Sequence, residues 1–69
     1  MDNVGTQIKE RRKQLGISQK QLADLSGIGI NTLTKIERNE GNPRLKNLYS
    51  IMDTLGLVLT TRIKTPDEL

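Results

Sequence analysis

The chain has 69 residues, a formal net charge of +3, and neither cysteine nor histidine. Its length predicts a single domain, residues 1–69, that buries only ~60% of the surface its unfolded chain exposes, so its margin of stability is thin. Disulfides and the common thiolate or imidazole metal sites are excluded, which leaves association as the stabiliser for so small a fold.

Val4, Ile8 and Leu15 are spaced by four and seven, which predicts a first helix with a narrow apolar stripe. Asp2 or Asn3 can cap its start, and Gly16 stands where a left-handed stop is wanted. Ser18-Gln19-Lys20-Gln21 is a capping box: the Ser18 hydroxyl suits the Gln21 N–H, and the Gln21 side chain can reach back. Ile17 and Leu22 bracket that cap as a hydrophobic staple. A second helix therefore begins at Gln19 and ends before Gly27, burying Leu22 and Ala23, with Leu25 at the margin. After Gly27-Ile28-Gly29 a third helix is predicted over about Ile30 to Arg38, capped by Gly29, with Leu33 and Ile36 inward. Asn39-Glu40-Gly41-Asn42-Pro43 is a polar turn. A fourth helix follows, with Leu45, Leu48, Tyr49, Ile51, Met52 and Leu55 inside or partly inside, and Gly56 closes it. The period then changes. Leu57, Val58, Leu59, Thr60, Thr61, Arg62 and Ile63 read as a strand with Leu57, Leu59, Thr61 and Ile63 on one side.

Two short helices joined by a three-residue, glycine-containing turn make a helix-turn-helix unit, here about residues 18–38. The close crossing needs a small residue, which Ala23 supplies, and a turn residue tolerant of positive φ, which Gly27 supplies. From Ile8 to Leu57 the chain resembles the lambda-repressor-like, Xre-type helix-turn-helix family. The matching stretches are Gly16-Ile17-Ser18-Gln19, Leu22-Ala23, Ser26-Gly27-Ile28, Asn31-Thr32-Leu33, Lys35-Ile36-Glu37-Arg38, Asn42-Pro43 and Leu55-Gly56. Two positions depart from the pattern: Gly29 replaces the usual Ser or Thr cap of the third helix, and Arg44 replaces a small polar cap at the fourth.

The resemblance implies an all-α, four-helix lambda-repressor-like DNA-binding domain whose third helix enters the major groove. Ile30, Asn31, Thr34 and Lys35 would then face base edges. Asn31 suits a bidentate pair with adenine, Lys35 suits guanine O6/N7, and Ile30 a thymine methyl. The competing reading of Thr34 and Lys35 is a solvated helix face. Gln19 is the expected phosphate clamp at the start of the second helix, where unpaired N–H groups attract anions; otherwise it is only the first residue after a cap. Arg38, Asn39, Arg44 and Lys46 are expected at phosphates, which fix register without reading sequence. Arg12 and Glu37 match a family ion pair that orients the third helix.

A lone strand cannot complete its own ladder, so residues 57–63 are expected to pair with a second copy, making a C-terminal β-strand shared across a homodimer. The other possibility is a coil lying on its own domain. A short domain followed by this Leu-rich strand is similar to the HipB-like antitoxins, which implies an autorepressor with a HipA-like kinase toxin as partner. The expected partners are a double-stranded DNA operator, a second copy and that toxin. Tyr49 is the only aromatic residue, which disfavours single-stranded targets that need stacking platforms. No apolar run approaches a ~20-residue membrane span and no signal core is visible, so a cytoplasmic location is expected. With no His, Cys, P-loop or paired acidic motif, neither a catalytic residue nor a cofactor is expected. The remaining alternatives are a plain regulator without a toxin, and a protein-interaction module that has kept the fold and lost DNA binding.

Overall fold

The computed structural model describes residues 4–58 and Asp67. Four helices follow one another: α1 (Val4–Gln14), α2 (Gln19–Ser26), α3 (Ile30–Glu37) and α4 (Leu45–Leu55). Helix α1 packs on α3 and α4, and α2 packs on the same two, so every helix closes on one core. That core is Ile8, Leu22, Ala23, Leu33, Ile36, Ile51 and Leu55, with Val4, Ile17, Ile28, Leu48 and Leu57 packed around it.

Local signals set the helix boundaries. The Ser18 Oγ accepts from the Gln21 N–H at 3.0 Å, and the Gln21 Oε1 accepts from the Ser18 N–H at 2.7 Å, so α2 opens with a complete capping box. Gly27 then takes a left-handed conformation, φ 73°, and the chain turns with the Ile28 N–H donating to the Ala23 carbonyl at 3.0 Å. All four helices end by this two-bond closure. In three of them the left-handed residue is glycine; in α3 it is Asn39, at φ 60°. The Asn39 N–H donates to the Ile36 carbonyl and the Glu40 N–H to the Lys35 carbonyl, both at 3.0 Å. Gly29 and Arg44 stand as caps of α3 and α4 without a side-chain bond, so these two starts rest on packing and on the backbone bonds that the Gly29 and Arg44 carbonyls accept from Leu33 and Leu48.

Several apolar residues do not go where periodicity placed them. Leu15 is 45% exposed and Leu25 is 67% exposed. Helix α1 stops at Gln14, so Leu15 falls beyond its last turn. At ~100° per residue Leu25 lies well off the direction shared by Leu22 and Ala23. In α4 the core is reached by Ile51, Met52 and Leu55, and Leu45 and Tyr49 sit on the flank, about half exposed. The third helix ends one residue before the expected Arg38, which is its C-cap.

The strand expected over residues 57–63 is not seen among the described residues. Leu57 is half-buried against the core of its own chain, and Val58 is exposed without strand pairing. Leu59, Thr61 and Ile63 lie outside the described residues, as do the capping candidates Asp2 and Asn3.

Candidate nucleic-acid interface

Helix α3 divides its residues between two jobs by angle alone. Leu33, Ile36 and Glu37 point inward and are buried. Ile30, Asn31, Thr34 and Lys35, at positions i, i+1, i+4 and i+5, share the opposite face. Asn31 and Lys35 are exposed, Ile30 is 42% exposed, and Thr34 is half-buried with its hydroxyl donating to the Ile30 carbonyl at 2.9 Å. That bond consumes the Thr34 proton and leaves its oxygen able to accept only. Ala23, 2% exposed, lets α2 and α3 approach closely, so the outer face is braced from behind.

A buried polar network holds the two ends of this unit together. The Arg12 Nε donates to Glu37 Oε2 at 2.8 Å and its Nη2 to Glu37 Oε1 at 3.0 Å, a bidentate fork. Both residues are under a tenth exposed. The third Arg12 nitrogen donates to the Ile17 carbonyl at 3.0 Å, in the connection to α2. Gln19 completes the set, with Nε2 donating to Glu37 Oε1 at 3.1 Å. The carboxylate of the last residue of α3 is thus bonded by the first residue of α2 and by an arginine from the last turn of α1. Among the described residues no buried side-chain nitrogen or oxygen lacks a partner. Gln19 keeps one amide proton free to meet an anion.

The connection after α3 is cationic. Arg38 and Arg44 are exposed there, Lys46 is exposed in the first turn of α4, and Lys35 sits one turn earlier than Arg38. Asn39 is exposed, but its side chain is committed: Oδ1 accepts from the Gly5 N–H at 3.0 Å and Nδ2 donates to Thr6 Oγ1 at 3.3 Å. It serves as the cap of α1 from 34 residues away. The approach is tight, because a Cβ at Gly5 would collide with the Ile36 carbonyl oxygen and lie 2.7 Å from Asn39 Oδ1.

Sequence reasoning missed three of these contacts: the Asn39 cap, the Gln19 bond to Glu37, and Arg11, whose Nε donates to the Leu55 carbonyl at 3.0 Å at the end of α4. Only Asn39 carried a signal, since Asn between two polar turn residues tolerates the left-handed region. Among the described residues no cluster of His, Cys, Asp or Glu could hold a metal ion, and no helix is long and apolar enough to cross a membrane.

Residues 8–60 match the family model described as helix-turn-helix. An uncharacterized HTH-type transcriptional regulator of Haemophilus influenzae is 45% identical over 49 residues, covering 71% of this chain and 50% of that protein. The HTH-type transcriptional regulator SinR of Bacillus licheniformis is 33% identical over 66 residues, covering 94% of this chain and 60% of that protein. The immunity repressor protein of Bacillus phage phi105 is 37% identical over 54 residues, covering 78% of this chain and 38% of that protein. The chain therefore spans 60% or less of each of these three relatives.

Proposed function

The chain belongs to the lambda-repressor-like, Xre-type helix-turn-helix family, and on that premise we propose that it is a sequence-specific repressor of transcription that binds duplex DNA as a homodimer. One observation carries the reading: the face of α3 formed by Ile30, Asn31, Thr34 and Lys35 is turned away from the core and bordered by the cations of the next connection. In this reading α3 lies in the major groove, where Asn31 pairs with adenine, Lys35 with guanine, and Ile30 and the Thr34 methyl meet thymine methyls. Gln19, held by Glu37, offers its remaining amide proton to a phosphate beside the N-terminus of α2. Arg38, Arg44 and Lys46 contact the flanking backbone. Asn39 contributes there through whatever its capping bonds to Gly5 and Thr6 leave free.

Arg12 and Glu37 orient α3 without touching DNA. The second copy is held through residues 57–63, which places two reading helices about one turn of duplex apart, ~34–36 Å. The finer assignment, an autoregulating antitoxin with a HipA-like kinase as partner in the cytoplasm, is supported by the sequence Leu55-Gly56-Leu57-Val58-Leu59 alone.

The test is a binding titration against a duplex enriched by the wild-type chain from a randomised library. Asn31→Ala and Lys35→Ala each stay folded and lose ~1–3 kcal/mol of discrimination per good contact. Variants that keep the full preference of the wild type for the enriched duplex refute the base-reading roles. An interaction module without DNA function would instead bind duplex weakly and with little salt dependence.

A further inference from the structure

Glu40 is the only carboxylate in the sequence between Glu37 and Asp53, and Glu37 is buried in its bond to Arg12. It therefore stands as the single exposed negative charge in a stretch that displays Lys35, Arg38, Arg44 and Lys46. Its position is fixed by backbone. The closure that ends α3 bonds the Glu40 N–H to the Lys35 carbonyl at 3.0 Å, and in this motif the side chains at these two positions lie side by side. That pair is frequently apolar; here it is a cation and an anion. Lys35 and Glu40 line one shallow hollow with Thr32, Asn42 and Pro43. They are neighbours without being bonded, since the ion pairs among the described residues are Arg12–Glu37 and Lys20–Asp24.

We propose that Glu40 is a specificity-determining residue that restrains Lys35 and disfavours generic phosphate contact at the rim of the reading helix. The inference rests on the DNA-reading role of α3 given above. A lysine ammonium is a compact charge on a flexible stem, able to swing to any nearby phosphate. Sequence-independent binding is almost wholly such phosphate contact. A carboxylate beside the lysine repels phosphates, whereas the guanine edge is an uncharged pair of acceptors. Glu40 thus weakens binding to arbitrary duplex more than binding to the correct one.

The experiment compares the wild type, Glu40→Gln, Glu40→Asp, Lys35→Gln and the Lys35→Gln/Glu40→Gln double variant. Each is titrated over a range of salt with two probes: the duplex the wild type enriches from a randomised library, and an unselected duplex of equal length. Circular dichroism checks folding, which the Glu40 side chain does not support. Glu40→Gln is expected to bind the unselected duplex roughly threefold tighter, the effect of one charge ~7 Å from a phosphate through water. Its salt slope on that probe steepens by ~0.9, one further phosphate contact. Affinity for the enriched duplex rises less, so the ratio of the two falls. Glu40→Asp behaves as wild type, and the effect shrinks in the Lys35→Gln background. Equal gains on both probes, or affinities and slope unchanged from a wild type that does discriminate, overturn the role of Glu40 alone. A wild type that enriches no duplex removes the DNA-reading assignment and this inference with it.

Discussion

Replacing Arg12 by methionine keeps the packed stem of the side chain and deletes its charged head. Glu37, whose side chain is 2% exposed, would then keep one of its three hydrogen bonds, that from Gln19, and the Ile17 carbonyl would lose its guanidinium partner. Breaking a buried pair by removing one member costs roughly 3–5 kcal/mol, because the other charge stays desolvated and uncompensated. A domain of this length holds on the order of 3–10 kcal/mol in total. Arg12→Met is therefore expected to remove a third or more of the stability and to lower the melting temperature by about 20 °C. Urea denaturation followed by far-ultraviolet circular dichroism reads the loss directly. The double variant Arg12→Met/Glu37→Leu separates charge from shape. Deleting both charges removes the desolvation penalty, so the double variant should recover most of what the single one loses. A single-variant loss below ~1 kcal/mol, the worth of an exposed pair, would refute the reasoning. So would a double variant as unstable as the single one, since the network would then act through fit rather than charge compensation.

The Asn39 cap gives a pair of contrasting outcomes: Asn39→Gly keeps the left-handed backbone and loses the bond from the Gly5 N–H and the exposed one to Thr6 Oγ1, together about 1 kcal/mol. Asn39→Ala also forces a Cβ into that region and should cost ~1–2 kcal/mol more, measured by the same denaturation. Gly5→Ala drives a methyl into the Ile36 carbonyl, so α1 must move off α3 and the melting temperature should fall by several degrees. Deleting the residues after Val58, with Leu57 left in place to fill the core, should yield a folded monomer with weaker DNA binding. Sedimentation at micromolar concentration checks this, and an unchanged dimer would remove residues 59–63 from the interface.

The parts of the fold that were legible in the sequence are those written in short spans. The capping box of Ser18 and Gln21 spans four residues, and the Gly27 turn and the inward face of α3 are equally local. The contacts that were not legible are long in sequence. Gly5 meets Asn39 across 34 residues, and Arg11 meets Leu55 across 44. No period or spacing encodes such meetings, because they depend on how finished helices are laid against one another. The misplaced apolar residues have a different cause. Leu25, Leu45 and Tyr49 keep helical spacing with core residues, yet a stripe read by spacing has no sharp edge, and residues at its margin fall to whichever side the neighbouring helix leaves open. The candidate site shows the same division: the outer face of α3 follows from angle, whereas the bond from Gln19 to Glu37 emerges only once α2 and α3 have crossed.

The angular partition of α3 has a consequence for how such a protein can change. Residues 30, 31, 34 and 35 carry no core packing, and their only side-chain hydrogen bond is one within the helix itself, from Thr34 to Ile30. Residues 33, 36 and 37 carry the packing and the carboxylate that fastens the neighbouring helices. On the DNA-reading role proposed for α3, a lineage, or an engineer, can therefore rewrite four outward letters to address a new target while the scaffold beneath is inherited intact.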